Sequence, residues 1–152
     1  MPRSVMGKSC MNGLDLVVQE ALRWLRFSAE DLDVAKRLLA NRSSAPRFVC
    51  WPSQQAAEKA LKAALTIEYI DYPFTHDLNA LRNLLPGSWS VRIDHPDLTE
   101  LSQWAVEARY PGEWAEATEA DATRAESEAS LVRDSVVAEF RRRGFLVDEG
   151  AQ

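Results

Sequence analysis

The stretch Gln54-Gln-Ala-Ala-Glu-Lys-Ala-Leu-Lys-Ala-Ala-Leu65 decides the fold class. Ala, Leu, Glu, Gln and Lys are strong helix formers, because each loses little side-chain freedom in a helix. Ala57, Ala60 and Ala64 give a slim face that lets a neighbouring helix approach closely. Gln55, Glu58 and Lys62 share a face at steps of three and four, with Glu58 four residues before Lys62, the favoured order for an ion pair. The pattern predicts a helical segment between Phe48 and Ile70. Its regular part should begin near Pro52, since proline suits a first turn and kinks an interior. Asp71-Tyr-Pro73 closes the segment.

Upstream, Leu14, Val18, Leu22, Leu25, Ala29, Leu32, Ala35 and Leu39 form one helical stripe, ended by the turn cluster Asn41-Arg-Ser-Ser-Ala-Pro46. Downstream, a short helix from His76 to Leu85 points Leu78, Leu81 and Leu85 inward, with Thr75 as cap and Pro86-Gly87 as stop. Ser88 to Ile93 reads as a loop. Asp94 then caps a fourth helix with Pro96 in its first turn and the stripe Leu98, Leu101, Ala105, Ala108. After the break at Pro111-Gly112, a long helix runs from Trp114 to Arg142 on Thr118, Ala122, Ala125, Ala129, Val132, Val136 and Phe140. Arg141 to Arg143 oppose its dipole and Gly144 stops it. No segment alternates as a strand does. The expected architecture is all-α: an antiparallel up-and-down bundle of four to five helices over residues 14–143, with a disordered extension at 1–13 and a flexible tail at 144–152.

At 152 residues the chain is long enough to bury one core as one domain. Cys10 and Cys50 form no CxxC, which fits a reducing, cytoplasmic setting. A net charge of −5, from 18 Lys+Arg and 23 Asp+Glu, argues against gripping nucleic acid through phosphates, so RNA is the less favoured partner. The leader MPRSVMGKSCMNG lacks the apolar run of a signal peptide, and Met6 and Met11 are candidate alternative starts. No run of about 18 apolar residues points to a membrane.

The common catalytic motifs are missing: no glycine-rich phosphate loop, no HExxH, no GxSxG. His76 and His95 are not paired at metal-ligand spacing. The acids Glu116, Glu119, Asp121, Glu126 and Glu128 lack the Glu-x-x-His of a di-iron bundle and read as a solvated face. No metal and no cofactor is expected. Three clusters remain, each with a structural alternative. Gln55, Glu58 and Lys62 are a ligand-binding face or a surface salt bridge. In Thr75-His76-Asp77-Leu78, His76 is an acid/base or phosphate donor, or a helix-start histidine. In Ala108-Arg109-Tyr110-Pro111, Arg109 binds phosphate and Tyr110 stacks on a base, or both complete the end of a helix. Of five tryptophans, Trp51 and Trp89 stand beside turn signals and are the candidates for exposure at an interface.

Read together, the Gln54 to Leu65 run, Thr75-His-Asp-Leu78 and Ala108-Arg-Tyr-Pro111 resemble the HEPN family, over roughly Ala21 to Arg142. The resemblance implies a homodimeric helical bundle, similar to the substrate-binding domain of kanamycin-type nucleotidyltransferases and often encoded beside a minimal nucleotidyltransferase. One branch of the family comprises metal-independent RNases, many of them toxins, whose signature is an Arg followed after four to six residues by a His. That signature is missing. The positions before His76 hold Tyr69, Ile70 and Asp71, and those before His95 hold Ser88, Trp89 and Ser90. The resemblance therefore implies a non-nucleolytic member that supplies a nucleotide- or substrate-binding surface to a nucleotidyltransferase partner. Glu58, Lys62, His76, Asp77, Arg109 and Tyr110 would converge on its interior or dimer cleft, with Lys62 and Arg109 at phosphate and Tyr110 or a tryptophan at the base. The alternatives are an RNase with a non-standard His76/Arg109 pair, a structural assembly partner, and, for the same residues, a buried network that fixes helix register.

Overall fold

The computed structural model of the chain describes residues 13–41 and 43–148, and within them six helices and no strand. Four are substantial: α1 (Gly13–Ala40), α2 (Arg47–Ile67), α5 (Thr99–Glu107) and α6 (Glu119–Arg142). Between α2 and α5 lie two short helices, α3 (Leu78–Asn83) and α4 (Ser90–Asp94). None of them is long and apolar enough to cross a membrane. The chain is the all-α bundle that the periodicities require.

Helix α2 is its axis, packed against α1, α3, α5 and α6. The small side chains cause this: Ala56, Ala57, Ala60, Ala63 and Ala64 are wholly buried, so helices approach α2 from several sides. Its remaining exposure is confined to the first residue, Arg47, and one stripe at Phe48, Trp51, Gln55, Lys59, Lys62 and Thr66. Ser28 of α1 donates its hydroxyl to the Ala56 carbonyl at 2.6 Å, and Lys59 meets Asp31 at 2.5 Å, which sets the α1–α2 register. Leu25, Leu32 and Ala35 of α1 and Ala122, Ala129, Val132, Val136 and Phe140 of α6 close the core along the stripes read from the sequence.

Several boundaries differ from expectation. Helix α2 begins at Arg47, so Pro52 is an interior, buried residue, and its missing N–H leaves the Phe48 carbonyl without the usual partner one turn on. Asp77, not Thr75, caps α3: its carboxylate accepts from the N–H groups of Asn79 and Ala80. The expected loop after Ser88 coils into α4, because Trp89 is buried against Phe140 with ring centroids 6.2 Å apart. Asp94 therefore ends α4 instead of starting the next helix, and α5 begins only at Thr99, where Asp97 accepts from the Thr99 N–H. Thr118 and Asp121 form a reciprocal capping box, so α6 starts at Glu119 and not at Trp114. Gly112 packs under Trp114, where a Cβ would fall 2.3 Å from the ring.

Two helix ends are built alike. At α6, Gly144 takes φ +92°, the Phe145 N–H donates to the Phe140 carbonyl, and the two rings touch. At α2, Tyr69 takes the left-handed position with φ +58°, and the Ile70 N–H donates to the Leu65 carbonyl. A tyrosine there carries the strain that glycine avoids. Phe145 and Val147 pack against the core, so the ordered chain continues past Gly144 into the expected tail. Residues 149–152 and the expected extension, except Gly13, lie outside the described residues, as do Cys10 and the alternative starts Met6 and Met11.

Arg142 and Arg143 both donate to the Glu139 carboxylate, and Arg143 also pairs with Glu68 beyond the end of α2. The hydrogen bonds from Arg142, then from Arg143, hold the Glu139 carboxyl down at about 2. Since this lies below the unfolded value, the stabilisation is complete above about pH 4.5 and is lost as pH falls toward 2. In urea titrations, the stability gap between wild type and Glu139→Gln should hold steady above pH 5 and shrink toward pH 3. An equal gap at pH 6 and pH 3 would contradict this account.

Candidate functional site

Glu58 is the centre of the candidate site. Only 2% of it is exposed, although a carboxylate loses much solvation on burial. Four side chains compensate. Lys62, one turn on, meets Oε1 at 3.0 Å, and Gln54 and Gln55 donate their amides to Oε2 at 3.2 and 3.1 Å. His76 Nδ1 lies 3.1 Å from both carboxylate oxygens. A carboxylate only accepts, so the network assigns the hydrogen to Nδ1 and leaves Nε2 on the far side of the ring.

The backbone is fixed at the same point. Gln54 also donates to the His76 carbonyl at 3.1 Å, tying the segment between α2 and α3 onto the face of α2. The Lys62 ammonium lies 5.4 Å from the Trp24 ring of α1 and 5.7 Å from the Tyr72 ring. Its side chain is 13% exposed, whereas that of His76 is 41% exposed and forms the solvent edge of the cluster.

Of the six candidates, Glu58, Lys62 and His76 come together and three do not join them. Asp77 is committed to capping α3. Arg109 and Tyr110 lie after α5, with the guanidinium 5.0 Å from the rings of both Tyr110 and Trp51. Trp51 belongs to the same stripe of α2 as Lys62, but roughly 16 Å away along the axis at 1.5 Å per residue. Arg47 sits beside this second group, 4.3 Å from the Phe48 ring and 3.3 Å from the Ala108 carbonyl. The stripe thus carries an arginine–aromatic cluster at its start and a charged cluster from its middle on to Lys62.

The sequence reading assigned no place in the site to Gln54, Trp24 or Tyr72. Gln54 is four residues before Glu58, a spacing that could have signalled the contact. Trp24 and Tyr72 are brought in by tertiary register, which no local pattern encodes.

Other chemistry lies elsewhere. Burial pushes the Cys50 thiol up to about 12, which keeps it from being a nucleophile. Partial burial holds His95 below the usual histidine range. Three of the acids read as a solvated face, Asp121, Glu126 and Glu128, are partly withdrawn from water. Glu126 pairs with Lys36 at 3.4 Å, and desolvation raises the Glu128 carboxyl. Among the described residues no group of three or more His, Cys, Asp or Glu could hold a metal ion. A groove of about 1180 Å³ between α1 and α6, lined by Arg26, Lys36, Arg133 and Leu146, contains none of the candidate residues.

Glu58→Gln keeps the shape and removes the charge, stranding a largely buried ammonium. It should cost about 2–4 kcal/mol in urea denaturation. Adding Lys62→Met to that variant should restore part of the loss, because the orphaned charge goes too. A double variant no more stable than the single one would refute the pairing.

The HEPN domain model matches residues 21–140, most of the chain. Neither the curated proteins nor the solved structures contain a significant match.

Proposed function

We propose a function from one premise: the chain belongs to the HEPN domain family. Its role is to provide a nucleotide-binding surface on the exposed stripe of α2, as the partner of a minimal nucleotidyltransferase and without catalysis of its own. The observation that carries this is the Glu58–Lys62–His76 cluster. Glu58 pairs with Lys62 and orients His76, whose side chain is open to a ligand, while Lys62 keeps a narrow exposed edge beside it. Lys62 and His76 then meet the phosphates. The arginine that the family's RNases place four to six residues before the histidine is missing here. Arg109 does not take its place, since its guanidinium is engaged by the Trp51 and Tyr110 rings.

A panel of ribonucleotides in thermal denaturation tests this reading. A ligand at about 100 times its Kd should stabilise the fold by roughly 2.7 kcal/mol, a rise of several degrees in Tm. The rise should disappear in Lys62→Ala with His76→Ala. If no nucleotide raises Tm, or the double variant responds as wild type does, the nucleotide reading fails.

The second cluster favours a protein contact. Trp, Tyr and Arg dominate binding hot spots, and here the Arg109 guanidinium lies 5.0 Å from the exposed rings of both Trp51 and Tyr110, with Phe48 also exposed on the stripe. We assign this end of the stripe to a second copy of the chain, giving a homodimer. Sedimentation should show a dimer for wild type and a monomer for Trp51→Ala with Tyr110→Ala. A monomeric wild type, or a variant that stays dimeric, would exclude this contact.

A further inference from the structure

We infer that Phe74 is the base-stacking residue of the nucleotide site, so that the ligand is selected for an aromatic base and not for phosphate alone. This inference rests on the nucleotide reading above. It replaces Tyr110 and the tryptophans as the candidate base contact.

Phe74 is 94% exposed. Among the described residues its ring contact is with His76, with centroids 5.7 Å apart and planes at 67°, an edge contact that leaves the ring faces open. A flexible loop could carry such a ring without consequence, but this segment is pinned on both sides. Before it, Tyr69 closes the end of α2 in the left-handed conformation, Ile70 and Tyr72 pack against the core, and Pro73 fixes its own φ. After it, the His76 carbonyl accepts from Gln54, and the Thr75 hydroxyl accepts from the Asp77 N–H. The ring is therefore held out in water by a rigid support, which reduces the ordering that a ligand would have to impose.

Position identifies the ligand. Phe74 adjoins His76, which shares Glu58 with Lys62. A planar group on the open face of Phe74 has its attached phosphates next to His76 and the edge of Lys62. Trp51 and Tyr110, the aromatics otherwise open to a base, are already in contact with Arg109, whose guanidinium lies 5.0 Å from each ring. A phosphate site needs no aromatic group at its mouth, whereas a nucleotide site gains from one because every base has a π face.

Calorimetric titration with the four ribonucleoside triphosphates and with inorganic tripolyphosphate tests the assignment, using wild type, Phe74→Ala and Phe74→Trp. Any triphosphate that binds wild type should bind Phe74→Ala about five- to hundredfold more weakly, and Phe74→Trp should bind at least as well as wild type. Tripolyphosphate should bind all three alike. Because the ring is exposed, the Tm of unliganded protein should not change. Unaltered nucleotide affinity in Phe74→Ala overturns the inference while leaving the nucleotide reading intact. An equal loss for tripolyphosphate also overturns it, as does a change in sedimentation with nucleotide affinity unchanged, which would assign the ring to a protein contact. If no nucleotide binds wild type, the nucleotide reading itself fails, and this inference with it.

Discussion

A carboxylate almost stripped of water must be surrounded by donors, and this constraint on Glu58 organises one whole side of the molecule. Gln54 and Lys62 lie one turn before and after it on α2, Gln55 lies beside them, and His76 comes from the far end of the following loop. Local donors alone would have left the loop free to wander. With His76 as a ligand of the same carboxylate, and Gln54 holding the His76 carbonyl, the entry to α3 is tied to the middle of α2. The order of the segment from Glu68 to Asp77 and the charge state of the cluster thus have one cause.

The alanines of α2 explain why the cluster lies where it does. A helix with small residues on several faces is approached from several sides, and little of it remains in contact with solvent. Whatever function α2 performs has to be performed on the single stripe from Phe48 to Thr66. The two parts of that stripe differ in kind. Toward its later half a buried acid balances a lysine beneath two rings, and at its start an exposed arginine lies against Trp51 and Tyr110.

Much of this was legible in the sequence wherever one local rule decided the outcome. Steps of three and four gave the buried faces of α1 and α6, Gly144 marked a helix end, and the spacing of Glu58 and Lys62 gave their ion pair. Errors arose where tertiary packing overrode a local signal. Pro52 suggested a first turn, yet the bonds of the Ala45–Pro46 turn had already started the helix. Trp89 suggested an exposed loop, yet Phe140, Glu68 and Arg143 enclose it, and the chain coils to bring it inward. The convergence of six polar residues was legible only in half, because Asp77 is needed at the start of α3 and Arg109 is held by Trp51.

The network around Glu58 has an inward and an outward side. Inward, Glu58 is matched by Lys62, so the pair adds no net charge to the core. Outward, the carboxylate holds Nδ1 of His76 and leaves Nε2 on the far side of the ring. Gln54 is turned wholly inward. His76 is not: one nitrogen is anchored to the buried Glu58, while two-fifths of the side chain remains in water. An imidazole oriented from behind and open in front is held in a fixed pose without being consumed by the hold.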